Sequence, residues 1–421
     1  MEANYDVIVI GAGPAGMMAA GQSALSGART LLLEKMDFPG RKLRLTGKGR
    51  CNVTNTLSLE DFIENVNPDG RFLRPAFTQL FTKELVRFMD TIGISTVEER
   101  GGRIFPISGQ AQDVVDALSQ WVLSQGVSVK MRGRVSELIW EDGRDIGVRI
   151  SGDNTRMVHA SSVVLATGGR SYPATGSTGD GYRLAESVGH SVVPVRPALV
   201  PLEIKAAILE PLIGLKLRNV SVKGIIDGKK RFELFGEMEF TSYGITGPVV
   251  LTASRALVEV LQQNRPVAIS IDCKPALNQE KLRARLDREL TQNGKKTIKT
   301  MLRKLLPEQL VPVCLEQTRV PDYKLGSEIS SGECNRLLTW LKDFRLELTG
   351  HRPFDEAIVT AGGVNTREID PYTMESKLVK GLYFAGEVLD LDGDTGGYNL
   401  QIAFSTGWLA GRSAAGYNRP V

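Results

Sequence analysis

The chain of 421 residues carries 52 Lys+Arg against 48 Asp+Glu, a formal charge of +4, with 42% hydrophobic and 24% charged residues. That length exceeds what one hydrophobic core serves, so two or three domains are expected and a small stapled or metal-clipped module is excluded. The balanced composition excludes a disordered chain and a membrane-embedded one. Glycine supplies 44 residues, about a tenth of the chain against roughly 7% ordinarily, which directs attention to tight turns and ligand-cradling loops.

The first predicted element is a β-branched strand over 5–10, followed by Gly11-Ala12-Gly13-Pro14-Ala15-Gly16 and an Ala/Met/Leu-rich helix reaching residue 26. A second buried strand, residues 29–34, ends in Glu34. Strand, glycine turn, helix and strand within about thirty residues make a dinucleotide site of a motif that alone would fit a structural turn. In that reading Gly11 permits the turn, Gly13 lets backbone approach a pyrophosphate, Gly16 lets helix and strand pack, and the helix N-terminus attracts the anion. Glu34 would accept from ribose hydroxyls, and its charge disfavours a 2′-phosphate, so FAD or NAD is expected instead of NADP. The uncharged run over 7–28 holds five glycines and a proline and has no basic segment before it, which argues against a targeting or spanning segment.

The following loop, 40–55, interleaves Arg41, Lys42, Arg44, Lys48 and Arg50 with Gly40, Gly47, Gly49 and Asn52. Anion cradling is one use and a solvated basic surface the other. Cys51 within it is either a thiol beside the cofactor or a packed loop residue. Cys51, Cys273, Cys314 and Cys334 form no CxxC pair, which suits a reducing cytoplasm and gives no local support for zinc or a dithiol centre.

An amphipathic helix is predicted over 110–126, then residues 127–130, 135–140 and 147–150 alternate like an antiparallel meander. Residues 162–169 read as a strand ending in the turn Ala166-Thr167-Gly168-Gly169, and a meander returning through such a turn points to flavoproteins over plain NAD dehydrogenases. Residues 357–364 and 381–387 resume the sheet, and the loop 392–399, with Gly397 and Tyr398, feeds a helix over 400–411. The expected fold is therefore α/β, a Rossmann-like domain over 1–190 and 346–421. It is interrupted by a strand-rich, barrel-like insert over 191–275 and a small helical domain over 276–345.

The insert carries 25 Lys+Arg against 17 Asp+Glu over 191–345, and within 279–304 nine basic residues face three acidic ones. This stretch is either a solvated helical face or an anion-recruiting patch. Nucleic acid is nonetheless an unlikely partner on these residues, since no RNA-binding or helix-turn-helix signature occurs.

These motifs together resemble the BaiN/YhiN-like family of FAD-dependent flavoproteins, in the two-dinucleotide-binding-domain class of NAD(P)/FAD-dependent oxidoreductases. The likeness rests on GAGPAG, GRKLRLTGKGRCNVTN, ATGGRSYPATGSTGDGY, GITGP and the segment from Ala361 to Gly407. It implies FAD contacts at Gly11, Gly13, Ala15, Gly16, Glu34, Lys35, Lys42, Gly47, Arg50, Cys51, Asn52, Val135, Ala166, Thr167, Gly168, Gly386, Glu387, Asn399, Leu400 and Gln401. Pro14, Arg41, Gly49 and Gly397 are added from the same motifs. The resemblance also implies reduction of conjugated carbon–carbon double bonds in small molecules such as dehydrogenated bile acids, with no membrane partner. Relatives often carry Thr-His before the glycine where this chain has Thr241-Ser242-Tyr243-Gly244, so a histidine donor has no carrier there. Tyr243, Tyr398 and His351 are the substitutes, each equally open to a packing role. A single GxGxxG leaves NAD(P)H, if it is the donor, to bind transiently. Oligomeric state is not legible.

Overall fold

The computed structural model describes residues 5–141, 145–151, 156–205 and 208–416. They form two compact units, one of residues 1–197 and 357–421 and the other of residues 198–356. No helix among the described residues is long and apolar enough to cross a membrane.

The first unit is built on a seven-stranded sheet. Ser128–Lys130, Thr30–Leu33, Tyr5–Ile10 and Arg156–Leu165 lie side by side in parallel, and Leu382–Phe384 joins the last of them, also in parallel. The antiparallel strands Asp145–Ser151 and Arg134–Glu141 extend it as a meander. Val7, Ile8, Val9 and the whole of Thr30–Leu33 are buried, as expected of strands covered on both faces. The helix Pro14–Leu25 packs against the C-terminal helix Tyr398–Ala414 at backbone distance. A Cβ on Gly407 or Gly411 would stand 2.3 Å from the carbonyl oxygen of Ala15 or Ala19, so only glycine permits that approach.

The second unit contains a closed six-stranded barrel: Leu202–Ile204, Gly244–Thr246, Lys229–Phe240, Lys216–Ile226, Val267–Asp272 and Phe344–His351, every neighbour antiparallel. The alternation of Phe344, Leu346 and Leu348 inward with exposed residues between them follows the pleat. The helices Gln279–Gln292, Ile298–Leu302, Leu310–Thr318 and Ser331–Lys342 belong to the same compact unit.

Several expectations need correction. Residues 127–130 are not part of the meander: Ser128–Lys130 is a parallel edge strand beside Thr30–Leu33. The strand-rich half of the insert holds a fifteen-residue helix, Pro248–Gln262, whose Pro at the first turn and buried stripe of Val250, Ala253, Ser254, Leu257 and Val258 outweigh its β-branched content. The unit boundaries also differ from 191 and 345. Val192–Ala198 pairs with Val359–Val364 and belongs to the first unit as far as Pro197, whereas residues 346–356 belong with the barrel because Phe344–His351 closes it. Barrel and helices, expected as separate domains, form one unit. Residues 142–144 and 152–155, between the strands of the meander in sequence, lie outside the described residues.

Candidate functional site

The C-terminal ends of the parallel strands open onto a cleft of about 1340 Å3, part of it open to solvent, in the first unit. This is where a doubly wound sheet places its ligand. The three glycines of the first turn stand in three different settings. Gly11 has φ +102°, a left-handed conformation that glycine adopts without strain. A Cβ on Gly16 would stand 1.8 Å from the Gly11 carbonyl oxygen, so helix and turn are in direct contact. A Cβ on Gly13 would meet no atom within 4 Å, although Gly13 lines the cleft. Nothing inside the protein requires glycine there, and the absent side chain leaves the backbone open to the cleft.

Glu34 ends its strand in the cleft with both carboxylate oxygens engaged. Oε2 accepts from the Ala12 N–H at 2.8 Å and Oε1 from the Met36 N–H at 2.8 Å. The acid therefore ties the glycine turn to the strand before any ribose reaches it, and each oxygen keeps a lone pair for a hydroxyl. Glu34→Gln should weaken cofactor binding by roughly 1–3 kcal/mol and lower the melting temperature, because the amide turns a donor toward a backbone donor. Titration of the apo-protein with FAD, followed by flavin fluorescence, checks this; undiminished affinity would mean that no hydroxyl uses Glu34.

Beside it, Lys35 Nζ donates to Thr178 Oγ1 at 2.6 Å and to Asp180 Oδ2 at 3.0 Å, and Arg134 reaches Asp180 Oδ1 at 3.2 Å. Burial opposes ionisation of Asp180, but the hydrogen bonds from Lys35 and Arg134 prevail and hold its carboxyl below the usual range. Elsewhere in the cleft Lys42 Nζ donates to Glu387 Oε2 at 2.7 Å and to Ser171 Oγ at 2.6 Å. Glu387 Oε1 also accepts from the Thr360 N–H at 2.9 Å. Two helix N-termini line the same cleft, Pro14–Leu25 behind Gly13 and Tyr398–Ala414 behind Gly397, and neither first turn carries an acid. Both ends favour negative charge.

Of the expected cofactor residues, the cleft gathers Gly11, Gly13, Pro14, Ala15, Glu34, Lys35, Arg41, Lys42, Val135, Ala166, Thr167, Gly168, Glu387, Asn399 and Leu400. Gly16, Gly47, Gly49, Arg50, Cys51, Asn52, Gly386, Gly397 and Gln401 do not line it. Arg50 instead pairs with Glu99 and stacks over the Phe105 ring at 4.3 Å. Gln401 is fully buried, donating to the Leu80 carbonyl at 3.1 Å and to Ser405 Oγ at 2.8 Å. Gly386 and Gly397 are packing glycines, pressed on Ala15 and on the Thr54 backbone. Burial pushes the Cys51 thiol up to about 12, which makes it a packed loop residue and not a reactive thiolate.

The proton-donor candidates separate as well. Tyr398 does not line the cleft; it is buried against Phe62, ring centroids 4.7 Å apart, with burial and then Asp394 and Asp61 pushing its phenol up to about 12. His351, in the barrel unit, has Nδ1 2.9 Å from the Arg352 carbonyl and Nε2 3.3 Å from Gln262 Nε2, the pattern of a structural histidine. Tyr243, half-buried in the same unit, lies under the Arg352 guanidinium at 4.5 Å, and Arg352 is held by Glu203 and Glu356. Burial and the charge of Glu356 raise the Tyr243 phenol, which is thus protonated near neutrality.

Asp180 and Arg134 line the cleft and were not foreseen, although Asp180 stands in the STGDGY stretch, where a carboxylate beside glycines was signal enough. Thr167 Oγ1, also on the cleft, is buried with no hydrogen-bond partner among the described residues. An unfilled hydroxyl, a glycine facing open space, a strand-end acid and two acid-free helix ends fit an FAD. The protein is an FAD-dependent oxidoreductase on a Rossmann-type scaffold.

It belongs to the family described as HI0933-like protein Rossmann domain, which matches residues 5–413. The 3-dehydro-bile acid delta(4,6)-reductase of Clostridium scindens is 34% identical over 97% of this chain and 98% of the relative. A ribosomal RNA dihydrouridine synthase of Escherichia coli is 31% identical over 96% of each. Among solved structures, the 3-ketosteroid delta1-dehydrogenase of Sterolibacterium denitrificans matches 99% of this chain and 100% of its own with a TM-score of 0.53 at 14% identity, a likeness of fold.

Proposed function

We propose that this protein reduces a carbon–carbon double bond conjugated to a carbonyl, using FAD and drawing electrons from NADH or NADPH. The observation that carries the reading is the extent of the likeness to the bile-acid reductase, which covers both units and not the Rossmann part alone. The RNA relative fits the same chemistry, since uracil C5=C6 is conjugated to the C4 carbonyl. The working setting is proposed as the cytoplasm, in keeping with four free cysteines.

In this reading the Gly11–Gly13 turn and the first helix N-terminus hold the pyrophosphate, Glu34 a ribose, and Asn399 and Leu400 the far end of the cofactor. Bound FAD supplies hydride transfer. Lys42 and Glu387 neutralise each other, and the acid-free end of Tyr398–Ala414 is left as a positive pole for charge that develops on reduction. Of the three donor candidates Tyr243 is retained, because it is only half-buried, whereas the equally protonated Tyr398 is not exposed to the cleft. Tyr398 is withdrawn to the core and His351 to a structural role.

The test is anaerobic stopped-flow mixing with NADH and with NADPH, followed by enones. One nicotinamide should bleach the flavin and an enone should restore it; Tyr243→Phe should leave the first step intact and slow the second about 10²-fold or more. A second reading, a flavin-carrying partner- or RNA-binding protein with FAD mainly structural, rests on the basic insert. It gains the field if neither nicotinamide bleaches the flavin.

A further inference from the structure

Neighbouring strands of the barrel bring a phenol, a guanidinium and two carboxylates together. Leu202–Ile204 lies between Gly244–Thr246 on one side and Phe344–His351 on the other. Tyr243 precedes the first neighbour, and its carbonyl accepts from the Ile204 N–H at 3.3 Å. Arg352 follows the second, and its N–H donates to the Pro201 carbonyl at 3.0 Å. Glu203, on the strand between them, stands opposite both Gly244 and Gly350. A Cβ on Gly350 would come within 2.9 Å of Glu203 Oε2, so glycine there leaves the carboxylate its place.

Arg352 is gripped by its edges. Nη1 donates to Glu203 Oε1 at 3.0 Å, Nε donates to Glu356 Oε1 at 2.8 Å, and Nη2 reaches the same Glu356 oxygen at 2.6 Å. With these donors engaged in its plane, the guanidinium turns its face to the Tyr243 ring, whose centroid is 4.5 Å from Cζ. The side chains of Arg352, Glu203 and Glu356 are 31%, 33% and 34% exposed, and ion pairs that water reaches so readily contribute little to stability. Their effect on the phenol is closer at hand. Burial and the Glu356 carboxylate raise it, while the Thr241 hydroxyl and the Arg352 charge oppose them, with Glu203 behind the guanidinium.

We propose that Arg352 is a positioning residue for proton donation by Tyr243, its guanidinium stabilising the phenolate left when the proton goes, and that Glu356 keeps the phenol protonated at rest. The proposal rests on the reductase reading above, with Tyr243 as the donor. In that reaction the double bond gains a hydride at its β-carbon, with two electrons from reduced FAD, and a proton at its α-carbon from Tyr243 Oη; water then returns a proton to the phenolate. A phenolate ring is richer in electrons than a phenol ring, so a cation on its face binds the deprotonated state more strongly. Such a contact strengthens as the proton leaves, which is what lowers a barrier. The cation without Glu356 would leave the phenol quick to ionise, and the acid without the cation would hold the proton back.

The experiment follows Tyr243 in the FAD-loaded protein by NMR of carbon-13 at tyrosine Cζ, its signal assigned by loss in Tyr243→Phe, beside stopped-flow reoxidation of the reduced flavin by an enone. Glu356→Gln should start the signal titrating at lower pH than in the parent, and Arg352→Met at higher pH. Arg352→Met should slow reoxidation about tenfold while flavin reduction by the nicotinamide keeps its rate. Arg352→Lys keeps the charge without the planar grip and should recover part of the loss. A residue that only braces the barrel would not move the two titrations apart. Shifts in one direction, or none, overturn the proposal, as does reoxidation of Arg352→Met at the parent's rate. Opposed shifts in a protein whose flavin no enone reoxidises leave Arg352 and Glu356 in control of the phenol and remove the reductase reading. Enone reduction with no shift does the reverse.

Discussion

Gly13→Val should yield a folded, colourless protein. The parent should purify yellow, with one FAD released by heat. In the variant the β-branched side chain points into the cleft, where a Cβ meets no protein atom within 4 Å, so the fold has no reason to resist it. The pyrophosphate loses its closest backbone approach, and binding should fall by at least a hundredfold. The contrast is Gly16→Val, where the Cβ would stand 1.8 Å from the Gly11 carbonyl oxygen and folding itself should fail. Circular dichroism and flavin absorbance read both. A Gly13→Val protein that keeps full flavin occupancy would remove the pyrophosphate from this turn.

Lys42→Met should cost about 1.5–2 kcal/mol of stability and loosen the cofactor at the same time. Lys42 links the N-terminal loop to Ser171 and to Glu387 near the C-terminus, and both charged side chains are one-fifth exposed. Removing the ammonium leaves a carboxylate with Ser171 and the Thr360 N–H as its remaining partners. For a fully buried pair the loss reaches about 3–5 kcal/mol, and solvent here screens part of it. The melting temperature should fall by roughly 2–4 °C. The double variant Lys42→Met with Glu387→Met should regain much of the stability but not the flavin affinity, because the stranded charge is gone while the cleft is still altered. A single variant as stable as the parent would show that the pair is only decoration.

The glycine turn and its strands were legible because everything that defines them lies within thirty residues. The same holds for Glu34 at its strand end, although its double grip on backbone N–H groups was not legible. The loop 40–55 shows the limit. Composition named it cationic, but Gly47, Lys48 and Cys51 adopt positive φ and turn the chain, so Lys42 enters the cleft while Arg50 pairs with Glu99 outside it. Local pattern also misled at Ser128–Lys130, since alternation fits either strand sense and the partner, Thr30–Leu33, is nearly a hundred residues distant. Tyr398 follows a glycine-rich loop that looks like a site, yet it opens the last helix and its ring is a neighbour of Phe62, a contact that no spacing announces.

The pairing of Leu382–Phe384 with Val163–Leu165, and of the last helix with the first, has a consequence for how the protein is made. A ribosome delivers the glycine turn before the insert but the strand that completes the sheet only after it. The insert is contiguous and can fold on emergence, while the nucleotide unit waits with one edge of Val163–Leu165 unpaired. Flavin can be captured only once Leu382–Phe384 has emerged, so a chain cut short after the barrel would carry every glycine of the first motif and still be colourless.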